Sequence, residues 1–267
     1  MTTTAVGAFR DRLPYVRIGA GPVPLVVLPG LALTDEPPAG LARAAYARGF
    51  RRLAADHTVY IVQRPQGLPD GASTADITAA YAATLGPELG PFRLMGLSTG
   101  GLIAQQVAIR QPELVERLVL VVSGARLAPA GRALCERWLE LAAAGRWQEL
   151  HGDLGAIAVD GAVAQWLARR LIGLTGGTPT ARQAADFTTT VAADLAHDTR
   201  AELRGVATPT LVIGGALDPF FPAATLEETA TALPNRRLLV FPRNGHGVPK
   251  HRARAVQDAA ATFLSGR

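Results

Sequence analysis

A mostly parallel β-sheet with helices on both faces is the architecture predicted for this 267-residue chain, and three observations predict it. Short β-branched or leucine-rich runs alternate with helical stretches, which is how a chain lays down parallel strands joined by crossover helices. The stretch 91–111, PFRLMGLSTGGLIAQQVAIRQ, passes from a β-type run into a helix with a single tight turn between them. With 48% apolar residues the chain can bury a full core, and its length suits one α/β domain carrying an insertion better than two independent domains.

Taken in order, residues 15–18 supply a short strand before the apolar run 24–28, and 41–55 forms a helix. A strand at 58–63 leads to a helix at 74–85. The strand at 92–97 leads to a helix at 100–110, and a further strand follows at 118–122. After a break in this rhythm come strands at 210–213 and 237–241, each followed by a helix, at 226–233 and 249–264; Pro249 suits a first helical turn. The break, residues 125–203, holds no convincing strand but only helical stretches at 130–144, 161–174 and 180–196. The expected organisation is therefore an α/β core of residues 1–124 and 204–267, with 125–203 as a helical cap. Leu134, Trp138, Leu141, Trp147, Trp166, Leu167, Leu171 and Phe187 give that cap enough apolar surface to pack onto the core and roof a pocket. Trp138 and Trp147 are its candidate pocket residues, with Phe220 and Val248 from the loops of the core, although an aromatic taken singly is more readily core than ligand contact.

The formal charge of +5 and the pI of about 10.1 suggest nucleic acid at first sight. The cations are scattered along helical faces, nearly all arginine with Lys250 the one lysine, and no nucleic-acid motif accompanies them, so no nucleic-acid partner is expected. The single cysteine, Cys135, excludes an intramolecular disulfide and a cysteine-based metal cluster and fits a packing role. No apolar run approaches the length that crosses a bilayer, and the first residues lack a secretory pattern, so the expectation is a cytoplasmic protein with no membrane partner. Histidines at unrelated spacings, without clustered carboxylates, imply no metal site and no cofactor.

Ser98 is the candidate nucleophile. It lies in Gly96-Leu97-Ser98-Thr99-Gly100, between the strand and the helix, where flanking glycines let the backbone fold back while Oγ points outward. With four serines and 28 glycines in the chain, chance places glycine at both −2 and +2 of a serine in roughly 0.04 such sequences. The N–H groups at the following helix start can stabilise an oxyanion. Serine needs an imidazole to take its proton and a carboxylate to orient that imidazole. His246, in Arg243-Asn244-Gly245-His246-Gly247 between the last strand and last helix, reaches the same sheet edge as Ser98. His251 is its rival, His57 precedes a strand and emerges at the opposite edge, and His151 and His197 fall in the cap. Asp218 follows the strand at 210–213. The other natural place for an acid, after 118–122, reads Ser123-Gly124-Ala125.

With these residues in the chain order Ser98, Asp218, His246, the sequence resembles an alpha/beta-hydrolase-fold protein of the Ser-Asp-His kind with a helical cap, over nearly its whole length. Leu25-Val26-Val27-Leu28-Pro29-Gly30-Leu31 is similar to the family's strand and oxyanion loop, with Pro29-Gly30 where the family often has His-Gly, so that the glycine remains. The resemblance implies that the main-chain N–H groups of Leu31 and Thr99 form the oxyanion hole. Gln63-Arg64-Pro65-Gln66-Gly67 resembles the family's Asp-Arg-Pro-Gly-His-Gly turn without its Asp and His, a structural feature. The implied activity is hydrolysis of a small, mainly apolar carboxylic ester or lactone through an acyl-enzyme. No charged clamp is evident, unless Arg126 at the start of the cap serves as one. The same triad also serves acyl transfer, carbon–carbon bond hydrolysis, and perhydrolase or haloperoxidase chemistry; a slow-turnover ligand receptor is the alternative from another class. The expected partner is a small-molecule substrate, with the oligomeric state left open.

Overall fold

In a computed structural model, which describes residues 3–10 and 12–266, eight strands form one sheet in the order β1-β2-β4-β3-β5-β6-β7-β8. These are β1 (Thr4–Phe9), β2 (Leu13–Ile18), β3 (Val23–Leu28), β4 (His57–Val62), β5 (Phe92–Leu97), β6 (Val115–Val121), β7 (Thr210–Gly215) and β8 (Arg236–Phe241). The pairings from β4 through β3, β5, β6 and β7 to β8 are parallel, while β1 with β2 and β2 with β4 are antiparallel. Central strands alternate their side chains between two cores. Val26, Leu28, Leu94, Leu118 and Leu120 face one side, and Leu25, Val27, Met95, Val119 and Val121 the other. That double burial explains the unbroken apolar runs in the sequence.

Helices α2 (Thr74–Leu89), α3 (Thr99–Arg110) and α8 (Ala223–Ala232) contribute to the first core, and α1 (Gly40–Gly49) and α10 (Ala253–Leu264) to the second. Between β6 and β7 lie α4 (Pro129–Ala143), α5 (Trp147–Ile157), α6 (Ala162–Thr175) and α7 (Ala181–Ala196). Their Cys135, Trp138, Leu141, Leu150, Phe187 and Val191 merge into the first core. No helix among the described residues is long and apolar enough to cross a membrane.

Four elements depart from the sequence expectation. β1 is an edge strand of alternating exposure whose Ala and Gly give little β signal; pairing with β2 forms it. The helix expected over 41–55 ends at Gly49 and resumes as a short 3₁₀ turn, Leu53–Ala55. The final helix is interrupted at Arg252, giving α9 (Val248–His251) before α10. Helix α5 was hidden by glycines that look like breaks. A Cβ on Gly152 would stand 2.5 Å from the Arg169 carbonyl oxygen, and one on Gly155 would collide with Ile172, so these glycines let α5 and α6 touch. Trp166, Leu167 and Leu171, expected to pack inward, face outward on α6.

Candidate active site

The carboxyl ends of β5, β7 and β8 deliver three side chains to one point. Ser98 closes β5 with φ 52° and ψ −124°, a left-handed conformation that a residue with a Cβ rarely adopts. Its N–H donates to the Val121 carbonyl oxygen (3.0 Å), and its own carbonyl accepts the Gly101 N–H (2.7 Å), fixing the turn from both sides. The flanking glycines have steric reasons. A Cβ on Gly96 would lie 2.5 Å from the Gly100 oxygen, and one on Gly100 would overlap the Leu28 carbonyl. A methyl group at either position would push helix α3 away from the strand ends.

His246, in the loop after β8, places Nε2 3.0 Å from Ser98 Oγ and Nδ1 2.7 Å from Asp218 Oδ2. Asp218 follows β7 and is buried; its Oδ1 accepts the N–H groups of Phe220 (2.9 Å) and Phe221 (3.3 Å), so both oxygens are committed. With Asp218 accepting at Nδ1, that nitrogen carries the proton and Nε2 is left to accept from serine. The Phe220 ring lies 4.9 Å from the imidazole, between it and Trp138 at 5.6 Å.

Ser98 opens into a cavity of about 230 Å³ whose lining includes Leu31, Leu97, Leu102, Leu127, Trp138 and Phe220. Thr99 and Leu31 both line it. As the first residue of α3, Thr99 presents an N–H with no intrahelical acceptor. The loop carrying Leu31 abuts the nucleophile: a Cβ on Gly30 would lie 3.3 Å from Ser98 Cβ. Arg64, buried under that loop, donates to the Ala32 carbonyl at 2.5 Å. The arginine of the turn at 63–67 thus braces the loop that carries Gly30 and Leu31. Burial lowers the pKa of this guanidinium, while Tyr81, Asp194, Asp35 and Asp186 oppose that shift.

Two pocket expectations are corrected. Trp147, the first residue of α5, is half-buried against the first core and does not line the cavity. Val248 also lies outside the lining. The chain turns into α9 immediately after Gly247, aiming Val248 fully buried into the core on the other sheet face. Trp138 and Phe220 do line the cavity. The other histidines are engaged elsewhere. His251 Nε2 accepts the Asp160 N–H, His57 sits between the Leu53 carbonyl and Arg93, and His197 lies between Thr74 and Thr199. His151 contacts the Gly177 carbonyl. Arg126 pairs with Glu228 at 3.0 Å and is not part of the lining. Cys135 does line it, with burial pushing its thiol up to about 12, which keeps it protonated.

Sequence reasoning missed Asp194. This α7 residue is buried in the cavity wall and accepts the Thr99 hydroxyl through Oδ2 at 2.5 Å. Burial pushes its carboxyl up to about 7, against the Thr99 hydrogen bond and the Arg64 charge, which pull it down. An isolated acid in a helix with no motif around it gave no signal for this. Among the described residues no three His, Cys, Asp or Glu side chains are grouped to hold a metal ion.

Comparison with known proteins agrees with this geometry at the level of family. Residues 23–250 match the alpha/beta hydrolase fold. Over 233 residues the chain is 30% identical to a Mycobacterium tuberculosis protein named "Putative non-heme bromoperoxidase BpoC", covering 83% of this chain and 86% of that one. It is 28% identical over 230 residues to the pimeloyl-[acyl-carrier protein] methyl ester esterase of Chromobacterium violaceum, covering 78% and 84%. Among solved structures, the enol-lactonase from Burkholderia xenovorans LB400 superposes with a TM-score of 0.76 over 98% of this chain and 100% of that one, at 22% identity, a likeness of fold. The chain belongs to the alpha/beta hydrolase fold family.

Proposed function

We propose that the protein hydrolyses a small, mainly apolar carboxylic ester or lactone through an acyl-enzyme on Ser98. The observation that carries this reading is the continuous hydrogen-bonded chain from Asp218 through His246 to Ser98, opening on an apolar cavity. In this mechanism Ser98 Oγ attacks the acyl carbon as His246 Nε2 takes its proton, and Asp218 stabilises the imidazolium that forms. The Leu31 and Thr99 N–H groups hold the negative oxygen, where preorganised donors act most strongly. His246 then returns the proton to the leaving alkoxide, and a water deprotonated by the same nitrogen releases the acid. The 28% identity to a methyl ester esterase supports the reaction class. The cavity size supports a small substrate.

The test is a panel of activated esters, lactones and β-diketones assayed with wild type and Ser98→Ala, together with a serine-directed phosphonate. Turnover of esters or lactones lost in Ser98→Ala, with the label on Ser98, is the expected result. Labelling of Ser123, which is buried beneath Gly101, or unchanged labelling in Ser98→Ala overturns the assignment. A second reading is favoured by the name of the 30% identical relative: hydrogen peroxide replaces water in attacking the acyl-enzyme, giving a peracid and free serine. Peracid formed from acetate and peroxide in preference to ester hydrolysis selects it.

A further inference from the structure

His246 stands between two glycines, Gly245 and Gly247, in the loop between β8 and α9. Glycine restricts the backbone least, so the local chain gives this histidine little stiffness of its own. Bonds from outside the loop must hold it. From the core, the Leu217 N–H donates to the Asn244 carbonyl at 3.0 Å. Further bonds come from the cap, through the turn between α5 and α6.

Asp160 carries those bonds. Its Oδ1 accepts the N–H of Gly245 at 3.0 Å, the main-chain donor directly before His246. Its Oδ2 accepts the Asn244 carboxamide N–H at 2.7 Å, and Arg252 donates to the oxygen of that same amide at 2.9 Å, which sets its orientation. The N–H of Asp160 in turn donates to His251 Nε2 in α9 at 3.2 Å. A carboxylate acceptor makes the first two the stronger kind of hydrogen bond. The glycines leave room for this contact. A Cβ on Gly245 would stand 3.1 Å from Asp160 Oδ1, and one on Gly247 would stand 3.1 Å from the Ala158 carbonyl oxygen. The cap turn thus touches the loop on either side of the histidine. Ile157 and Ala158, in the same turn, line the cavity together with His246.

Proton transfer tolerates little displacement. The imidazole has to keep Nε2 3.0 Å from Ser98 Oγ and Nδ1 2.7 Å from Asp218 Oδ2 at once, and misplacement by an ångström can cost about 100-fold in rate. We propose that Asp160 is a positioning residue for this reaction: from the cap, it holds the His246 loop where the imidazole reaches Ser98 and Asp218 together. The cap then takes part in the chemistry as well as in the shape of the pocket. This inference rests on the ester or lactone hydrolase reading above and adds a requirement to it, that the cap turn be docked for the base to work.

The experiment compares wild type with Asp160→Ala and Asp160→Asn by kinetics on p-nitrophenyl acetate and butanoate, proton NMR of the substrate-free protein, and urea unfolding. The NMR signal is the far-downfield Nδ1 proton that His246 shares with Asp218, assigned by its absence in His246→Ala. In Asp160→Ala, kcat should fall by about tenfold or more for both esters alike, with KM within about twofold, and the downfield signal should broaden or disappear. Asp160→Asn retains one carbonyl oxygen for Gly245 and should lose less. An unchanged kcat or an unchanged downfield signal overturns the inference, even beside a lower urea midpoint, because Asp160 then only fastens the cap. A loss confined to KM, or one that differs between the two esters, also overturns it, since Asp160 then shapes the pocket. Should Asp160→Ala fail to fold, Asp160→Asn decides by the same criteria. If wild type turns over no ester and the phosphonate leaves Ser98 unlabelled, the hydrolase reading fails; the downfield signal, which needs no substrate, still decides whether Asp160 holds His246.

Discussion

The sheet edge and the helical roof meet at the same cavity but are held by different forces. At the edge, Ser98, Asp218 and His246 are placed by backbone: parallel ladders on both sides of β5 and β7, N–H groups on Asp218 Oδ1, and a turn closed by main-chain bonds. In the roof, side chains do more of the fastening. Asp186 accepts the Gly67 and Leu68 N–H groups while Arg182 bridges it to Asp35, and Asp153 takes both Arg137 and Arg169. Asp160 accepts the Asn244 amide and the Gly245 N–H beside His246. Ladders of backbone bonds fix positions closely, whereas side-chain fastening on helices can change without disturbing the sheet.

The sharpest way to break the edge is through Asp218. Asp218→Asn should keep the fold and lower kcat/KM for esters by about 10⁴-fold, roughly 5.5 kcal/mol, because the imidazole loses the partner that fixes its tautomer. Steady-state kinetics beside an unchanged circular dichroism spectrum checks it. A loss of less than about tenfold would remove Asp218 from the triad. Within the turn itself, Gly100→Ala should destabilise by about 3 kcal/mol in urea unfolding, since its methyl overlaps the Leu28 and Pro29 carbonyls.

His197 tests the junction where α7 rejoins the body. Burial lowers its pKa to about 4, so in the native state it stays neutral while the unfolded chain takes up a proton near 6.5. Its contribution is therefore complete above pH 6.5 and is lost as pH falls toward 4, by about 3 kcal/mol. Asp194, whose pKa is raised, acts with the opposite sign, favouring the fold at low pH and losing that contribution as pH rises through about 7. The difference in unfolding free energy between wild type and His197→Gln, followed from pH 7 to 4.5, isolates the histidine, and a pH-independent difference would refute its burial as neutral imidazole.

Two smaller comparisons sharpen the division inside the roof. Trp138→Ala should shift the preference among acyl chain lengths, while Trp147→Ala should cost about 1–3 kcal/mol of stability and leave that preference in place. Equal shifts in both would return Trp147 to the pocket. Gly177→Ala, at a roof position where a Cβ meets open space, should change stability by no more than about 0.5 kcal/mol, against the large loss at Gly100.

The sequence by itself determined the alternating strands and helices, the turn at Ser98, and the order in which Asp218 and His246 follow. These depend on periods of burial along a few residues and on glycines at fixed offsets, and such signals are local. Its errors have local causes too. Glycines that signal a break to a propensity argument are contact points between α5 and α6, and β1 becomes a strand only because β2 lies beside it. Only the tertiary structure decided which roof side chains enter the cavity. Trp138 and Trp147 look alike in the chain, but the rotation of α4 on the core turns one inward, and the start of α5 leaves the other aside. Thr99 and Asp194 are 95 residues apart, and the bond between them exists because α7 docks across the start of α3. A helix fixes which of its residues share a face, but the angle at which that face meets another element is set by packing of the whole body, and no local pattern carries it.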